Sequence, residues 1–291
     1  MSASLERIGP TVALLYAATF WGFVWYPSRL LESAGLAGTW LTLTAYAAAF
    51  IAFTPFARHS LESLGRQPAD VVTLILAAGW ANTAFVLAVL DGEVVRVVLL
   101  FYLSPLWTAL LGRWLLAEPL TQRTAVMLSL GIVGAVIMMW QPSLRNAPLN
   151  TADLLAISAG MAFALNNVMT RRITGLGVRA KAHVAFFGVV IVATAFIIIG
   201  QIPRPEVTSS TWGLAALLGL GGFLLSTLAV TYGVSRMPVQ RSAVIMLFEL
   251  IVGAFSAWWL AGEAVSWREW FGGGLILSAA LIAVWQKDGI T

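Results

Sequence analysis

Two stretches, Val94–Arg123 (VVRVVLLFYLSPLWTALLGRWLLAEPLTQR) and Val239–Arg268 (VQRSAVIMLFELIVGAFSAWWLAGEAVSWR), align without a gap at an offset of 145 residues. Arg96 falls on Arg241, Trp114 on Trp259, Leu115 on Leu260 and Glu118 on Glu263. The register continues through Arg123 on Arg268 and Trp140-Gln141 on Trp285-Gln286. Coincidences among apolar residues are common in such a chain; coincident Arg, Glu, Trp and Gln are much rarer. The chain therefore contains an internal repeat.

Working outward from that repeat, ten stretches are long and apolar enough to cross about 30 Å of hydrocarbon, which takes roughly 20 residues. They lie near 10–31, 38–57, 70–90, 94–117, 121–141, 150–172, 181–200, 211–234, 239–262 and 267–286. The aligned segments are thus spans 4–5 and 9–10. Five is odd, so a second copy of five spans runs through the membrane in the opposite sense, as in many transporters. The expected fold class is an all-α membrane protein of ten transmembrane helices in two inverted five-helix repeats, residues 1–147 and 148–291. The first three spans of each half align weakly, with Arg29 on Arg171 as the best anchor.

Composition leads to the same class. Of 291 residues 59% are hydrophobic and 10% charged, with a mean hydropathy of +0.87. A soluble domain carries about a quarter charged residues, so the exterior of this one faces lipid. Cysteine is absent, which excludes disulfides, thiol catalysis and Cys-ligated metals. The net charge of +4 does not point to nucleic acid, because no Lys/Arg cluster alternates with aromatics. The cations instead divide by side. With a cytoplasmic N-terminus, Arg7, Arg58, Arg66, Arg113, Arg123, Arg171, Arg172, Arg179, Lys181, Arg236, Arg241 and Lys287 fall on one side. Arg29, Arg96, Arg145, Arg204 and Arg268 fall on the other, giving twelve against five. The positive-inside rule then places both termini in the cytoplasm. The opening MSASLERIGP leads straight into apolar sequence without a small-residue cleavage site, and is expected to enter the first span rather than form a signal peptide.

The mid-span Pro, apolar run and Glu before a short turn (YLSPLWTALLGRWLLAEPLT, repeated as MLFELIVGAFSAWWLAGEAVS) resemble the ten-span drug/metabolite transporter superfamily. The Trp-Gly pair followed by a basic residue in ATFWGFVWYPSRLL is similar to that superfamily's opening signature. The resemblance covers essentially the whole chain. FYLSPLWT and the aromatic-rich spans most resemble its aromatic amino-acid exporters. The resemblance implies a bacterial inner-membrane exporter of small amphipathic metabolites, with a central cavity lined mainly by spans 1, 3, 4, 6, 8 and 9. Spans 5 and 10 would then be peripheral. The chain departs from four-span multidrug relatives, which carry an acid in the first helix for proton coupling; TVALLYAATFWGFVWYPSRLL has none.

Glu249 lies near the middle of span 9 with no cation beside it in its own helix. An ionised carboxylate there is costly, so it is expected to be neutral, paired or facing a wet cavity. It serves either as a proton or substrate-amine site or as a buried hydrogen-bonding tie. The repeat sets Ser104 against Glu249. Pro105 removes a backbone hydrogen bond in mid-span, as a hinge opening the cavity or as a static bend. Trp21, Trp80, Tyr102 and Trp107 sit too deep for an interfacial belt. With Asn82, Asn166 and Asn167 they suit a pocket for an aromatic or apolar zwitterion, unless the rings are bulk facing lipid. Adjacent Asn166 and Asn167 do not share a helical face, so at most one lines the cavity. Arg96, Glu118, Arg241 and Glu263 mark span ends, either as snorkelling anchors and end pairs or as gate latches. Gly131 and Gly134 in span 5, and Gly272, Gly273 and Gly274 in span 10, are expected at close helix contacts.

Enzyme chemistry lacks its parts: His59 and His183 share no motif, and neither HExxH nor GxSxG occurs. No repeated polar constriction suggests a channel, and a scaffold leaves the repeat unexplained. A small-molecule transporter is the expected function, in the bilayer as a monomer, without metal or cofactor.

Overall fold

A computed structural model describes residues 3–58, 64–65, 67–140 and 148–285, with backbone alone for 3–7. His59, Arg66, Gln141, Arg145, Gln286, Lys287 and residue 147 at the expected junction lie outside the described residues, as does the side chain of Arg7.

The described residues form α-helices joined by short loops, with no strand among them. Backbone polar groups have no water partner in hydrocarbon, so helices that satisfy their own N–H and C=O groups are the form such apolar runs take. Span 1 is α1 (Ala3–Phe23) and α2 (Trp25–Ser33), span 2 is α3 (Gly38–Ala57) and span 3 is α4 (Pro68–Asp91). Span 4 is α5 (Val94–Phe101) and α6 (Ser104–Leu115), and span 5 is α7 (Gln122–Met139). Spans 6 and 7 are α8 (Thr151–Arg172) and α9 (Val178–Ile199). Span 8 joins α10 (Ser209–Leu218) to α11 (Leu224–Val234) through a π-helical turn, Gly219–Phe223. Span 9 is α12 (Val239–Met246) and α13 (Phe248–Ala261), and span 10 is α14 (Trp267–Trp285).

Nine of the expected spans, from Ile8–Ser33 to Val239–Ala261, are long and apolar enough to cross a membrane among the described residues. The tenth, α14, is a 19-residue helix whose first turn carries Arg268 and Glu269 and is correspondingly less apolar. Caps start several spans: Asn150 and Asp153 form a reciprocal capping box on α8, and Thr121 accepts from the Thr124 N–H on α7.

The packing repeats every five spans. Span 1 packs on spans 8 and 9, and span 6 on spans 3 and 4; span 2 packs on 7 and 8, and span 7 on 2 and 3. Spans 5 and 10 pack on each other, where Gly134 and Gly272 bring the backbones together: a Cβ on Gly134 would lie 2.6 Å from the Gly272 carbonyl oxygen. Gly131 meets Leu247 of span 9, and nothing approaches Gly274 within 4 Å, so the expected close contacts hold for part of the glycine set.

Local geometry repeats in the same register. Ala117 (φ 55°) and Gly262 (φ 69°), one repeat apart, are both left-handed at helix C-termini. The Glu118 N–H donates to the Gly112 carbonyl at 3.2 Å, and the Glu263 N–H to that of Ala257 at 3.3 Å. This is the Schellman closure, which favours glycine at the left-handed position; Ala117 adopts it without that advantage. Trp114 and Trp259, at 74% and 64% exposure, both face outward, where the surrounding medium is lipid.

Candidate functional site

Spans 4 and 9 are each broken in mid-membrane, between Phe101 and Ser104 and between Met246 and Phe248, one repeat apart. Pro105 sits at the start of α6, where its missing N–H falls at the break. Span 9 breaks at the same register with no proline. Two shortened turns carry it there, Leu247 N–H to Val244 and Leu250 N–H to Leu247. A break at this register therefore does not require proline.

They meet at Tyr102 and Glu249. The Tyr102 hydroxyl donates to Glu249 Oε1 at 2.6 Å, joining residues 147 apart in sequence. Glu249 occupies the first turn of α13, where the helix dipole favours a negative group. No basic side chain forms an ion pair with it among the described residues. The arrangement holds a carboxyl group with one charge-assisted hydrogen bond in the middle of the membrane, able to take up a proton or to receive an ammonium group.

Above and below this crossing the two spans behave differently. We call the face where span 1 starts, and where spans 4, 6 and 8 end, the N-side. Towards the N-side, α12 packs along α6, and all eight residues of α12 are buried. Towards the opposite face, α5 and α13 have no comparable packing, and only Arg96 and Val97 of the eight α5 residues are buried. The main core cluster likewise gathers N-side residues, Leu14, Leu74, Ala109, Val168, Val234 and Val244 among them.

The other sequence candidates fall into separate groups. Trp80 donates to Ser158 Oγ at 3.1 Å and Asn82 accepts from the Tyr46 hydroxyl at 2.8 Å, tying span 3 to spans 6 and 2. Trp21 stands edge-on to Phe223 at 5.3 Å in a ring cluster with Phe20 and Tyr46. Asn167 is buried, whereas Asn166 is partly exposed; the Asn166 Nδ2 donates to Asn167 Oδ1 at 3.5 Å, and its own Oδ1 is buried without a partner among the described residues. Trp107 Nε1 also lacks a partner among the described residues, and Ser104 and Pro105 are buried. Ser104, the repeat counterpart of Glu249, is not its hydrogen-bond partner; that is Tyr102.

The span-end residues take different partners on the two faces. Arg96 pairs with Asp153 at 2.7 Å, with 10% and 1% of their side chains exposed, and donates to the Pro148 carbonyl. Arg241 donates to the Val284 carbonyl. Both hold span ends to a neighbouring helix. Glu118 accepts from the Val239 N–H at 2.9 Å and faces Arg171 at 3.7 Å, so it bridges spans 4, 9 and 6 on the N-side. Burial raises the Glu118 carboxyl above its usual range, against the lowering effects of the Val239 N–H and of Arg171. Its counterpart Glu263 is exposed. Tyr46, Ser158, Asp153, Arg171 and Lys181 were not among the expected site residues. The Asn150–Asp153 cap was readable as a helix start, but nothing local in the sequence signals the partners of the others.

Helices that cross a membrane, two broken spans meeting at a mid-membrane acid, and one closed face are the attributes of a transporter. The model of the EamA-like transporter family matches the chain twice, over residues 9–140 and 150–285, and the chain belongs to that family. An uncharacterized transporter of Archaeoglobus fulgidus is 23% identical over 246 residues, covering 82% of this chain and 83% of that one. The fold is that of a protein of known crystal structure, with a TM-score of 0.78 at 17% identity, covering 94% of this chain and 96% of the other.

Proposed function

We propose that this EamA-like transporter exports aromatic and hydrophobic amino acids, and related small amphipathic metabolites, across a bacterial inner membrane by alternating access. The observation that carries the reading is the crossing of spans 4 and 9 at Tyr102–Glu249, packed shut on the N-side and splayed on the other. Residues 1–147 and 148–291 act as two inverted halves; the twofold family match and the five-span recurrence of packing support this. The cation count makes the N-side cytoplasmic, so the conformation is open to the periplasm. Substrate rests beside Tyr102 and Glu249, its ammonium at Glu249 and its ring among Trp21, Trp80 and Trp107, with Asn82, Ser104 and one of Asn166 and Asn167 completing the polar lining. Pro105 lies at the pivot. Arg96 and Arg241 anchor span ends, while Glu118 latches the cytoplasmic face and Glu263 is its counterpart on the other.

Uptake of labelled phenylalanine and tryptophan into proteoliposomes tests the cargo. Flux above empty vesicles, lost in Glu249→Gln, is expected. Absence of flux for every aromatic amino acid contradicts it and leaves a member of the same family with another metabolite or drug as cargo. Imposing a proton gradient on wild type and on Glu249→Gln separates coupling from binding: an unchanged gradient response in the variant excludes Glu249 as the coupling acid.

A further inference from the structure

On the N-side, the ends of spans 4, 6 and 8 and the start of span 7 surround a recess of about 610 Å³. Its lining includes Arg171, Arg172, Lys181, Glu118 and Ser235, three cations against one carboxylate. The positive-inside rule accounts for cations on this side, but it asks only that they stand in water. Lys181 does not: it is 5% exposed. Its ammonium donates to the Thr170 carbonyl at 2.6 Å and to Ser235 Oγ at 3.3 Å, both neutral. A buried ammonium calls for an opposite charge, and one of its three donors has no acceptor among the described residues.

Arg171 is placed to help supply a site for that charge. Its Nη1 donates to the Ser235 carbonyl at 2.7 Å, while its Nε stands 3.7 Å from Glu118, too far for a hydrogen bond. Arg172 is held by Asp70 at 3.3 Å and by the Leu115 carbonyl, closing the recess on one side. We propose that this recess binds an oxyanion, the carboxylate or phosphate group of a small solute or of a lipid headgroup, between Lys181 and Arg171. The bound oxyanion competes with Glu118 for Arg171. The proposal does not rest on the transport reading, since binding is measured without flux.

Thermal melting of the full chain in neutral detergent tests it, with inorganic phosphate or acetate titrated against chloride at constant ionic strength. The expected result is a saturable rise in Tm for the wild type, reduced or lost in Lys181→Met. Glu118→Gln, which keeps every cation and removes the competitor, is expected to bind phosphate about fivefold tighter or more. It carries the test even if Lys181→Met fails to fold. Repeating the titration in phosphatidylethanolamine nanodiscs, with and without phosphatidylglycerol, separates the sources. Loss of the phosphate response in phosphatidylglycerol assigns the site to a lipid headgroup, and its persistence assigns it to a soluble oxyanion. No saturable shift, an equal shift in a folded Lys181→Met, or unchanged or weaker binding in Glu118→Gln overturns the proposal.

Discussion

Helices α5 and α12 are aligned by the 145-residue offset, yet one is loosely held and the other enclosed. Every residue of α12 is buried against neighbours that include spans 1, 4, 5 and 10, while α5 rests chiefly on spans 3, 5 and 6. Their sequences, VVRVVLLF and VQRSAVIM, do not explain this by hydrophobicity, since the loosely packed copy is the more apolar. The difference is one of packing: spans 4 and 9 lie together towards one face and not towards the other. A symmetric state would close both faces and leave no route to the middle.

The largest expected effect sharpens the contrast between the two Arg–acid pairs. Asp153→Ala strands Arg96 in a buried setting and should cost about 3–5 kcal/mol of stability, read by denaturation in detergent. Glu118→Gln acts on a pair whose Arg171 is 35% exposed, and should cost about 1 kcal/mol or less. Equal losses would remove the distinction between the buried pair and the partly exposed one.

Next comes the crossing itself. Tyr102→Phe leaves the Glu249 carboxyl without its donor and should destabilise by about 1–3 kcal/mol, while flux falls with little change in overall fold. A variant as stable and active as wild type would show that the crossing does not depend on this bond.

The Glu118 contact has a pH dependence of definite sign. Burial raises the Glu118 carboxyl above 4.5 while the N-side is closed, so the closed face binds a proton more readily than an open, solvated one. Closure is favoured in full below the solvated value and loses this contribution as pH rises through the closed-state value. N-side opening, followed by labelling of a single introduced cysteine, should increase with pH above about 4.5 in wild type, and Glu118→Gln should flatten the profile. The smallest effect belongs to Pro105→Ala. Since span 9 breaks without proline, the variant should keep its break and shift stability by less than about 1 kcal/mol.

The sequence made much of the architecture legible, and the reason is physical. Apolar runs of membrane length are hard to read otherwise, and the offset that aligns Glu118 with Glu263 also aligns the left-handed caps at Ala117 and Gly262. Glu249 stood out because an acid in an apolar helix is costly. Its partner did not: the Tyr102 hydroxyl comes from the other half of the chain, and no local pattern records that approach. Pro105 marks the break in span 4, whereas the matching break in span 9 has no proline and no such local signal. Trp80 and Asn82 were legible as mid-span polar groups, yet their commitments to Ser158 and Tyr46 depend on tertiary packing. Lys181 counted only towards orientation, because burial of a charge at a span end leaves no trace in sequence.

The claim that spans 4 and 9 are closed on one face and open on the other is tested most directly by cross-linking two pseudo-equivalent pairs. The chain contains no cysteine, so introduced pairs are the only thiols present. On the N-side, a Cβ at Gly112 would lie 2.6 Å from the Val239 side chain, and Gly112→Cys with Val239→Cys forms the closed-face pair. Moved by one repeat, the same pair becomes Val94→Cys with Ala257→Cys on the opposite face. Oxidation of the protein without substrate should join the first pair rapidly and leave the second reduced. Equal or faster cross-linking of Val94→Cys with Ala257→Cys would contradict the account.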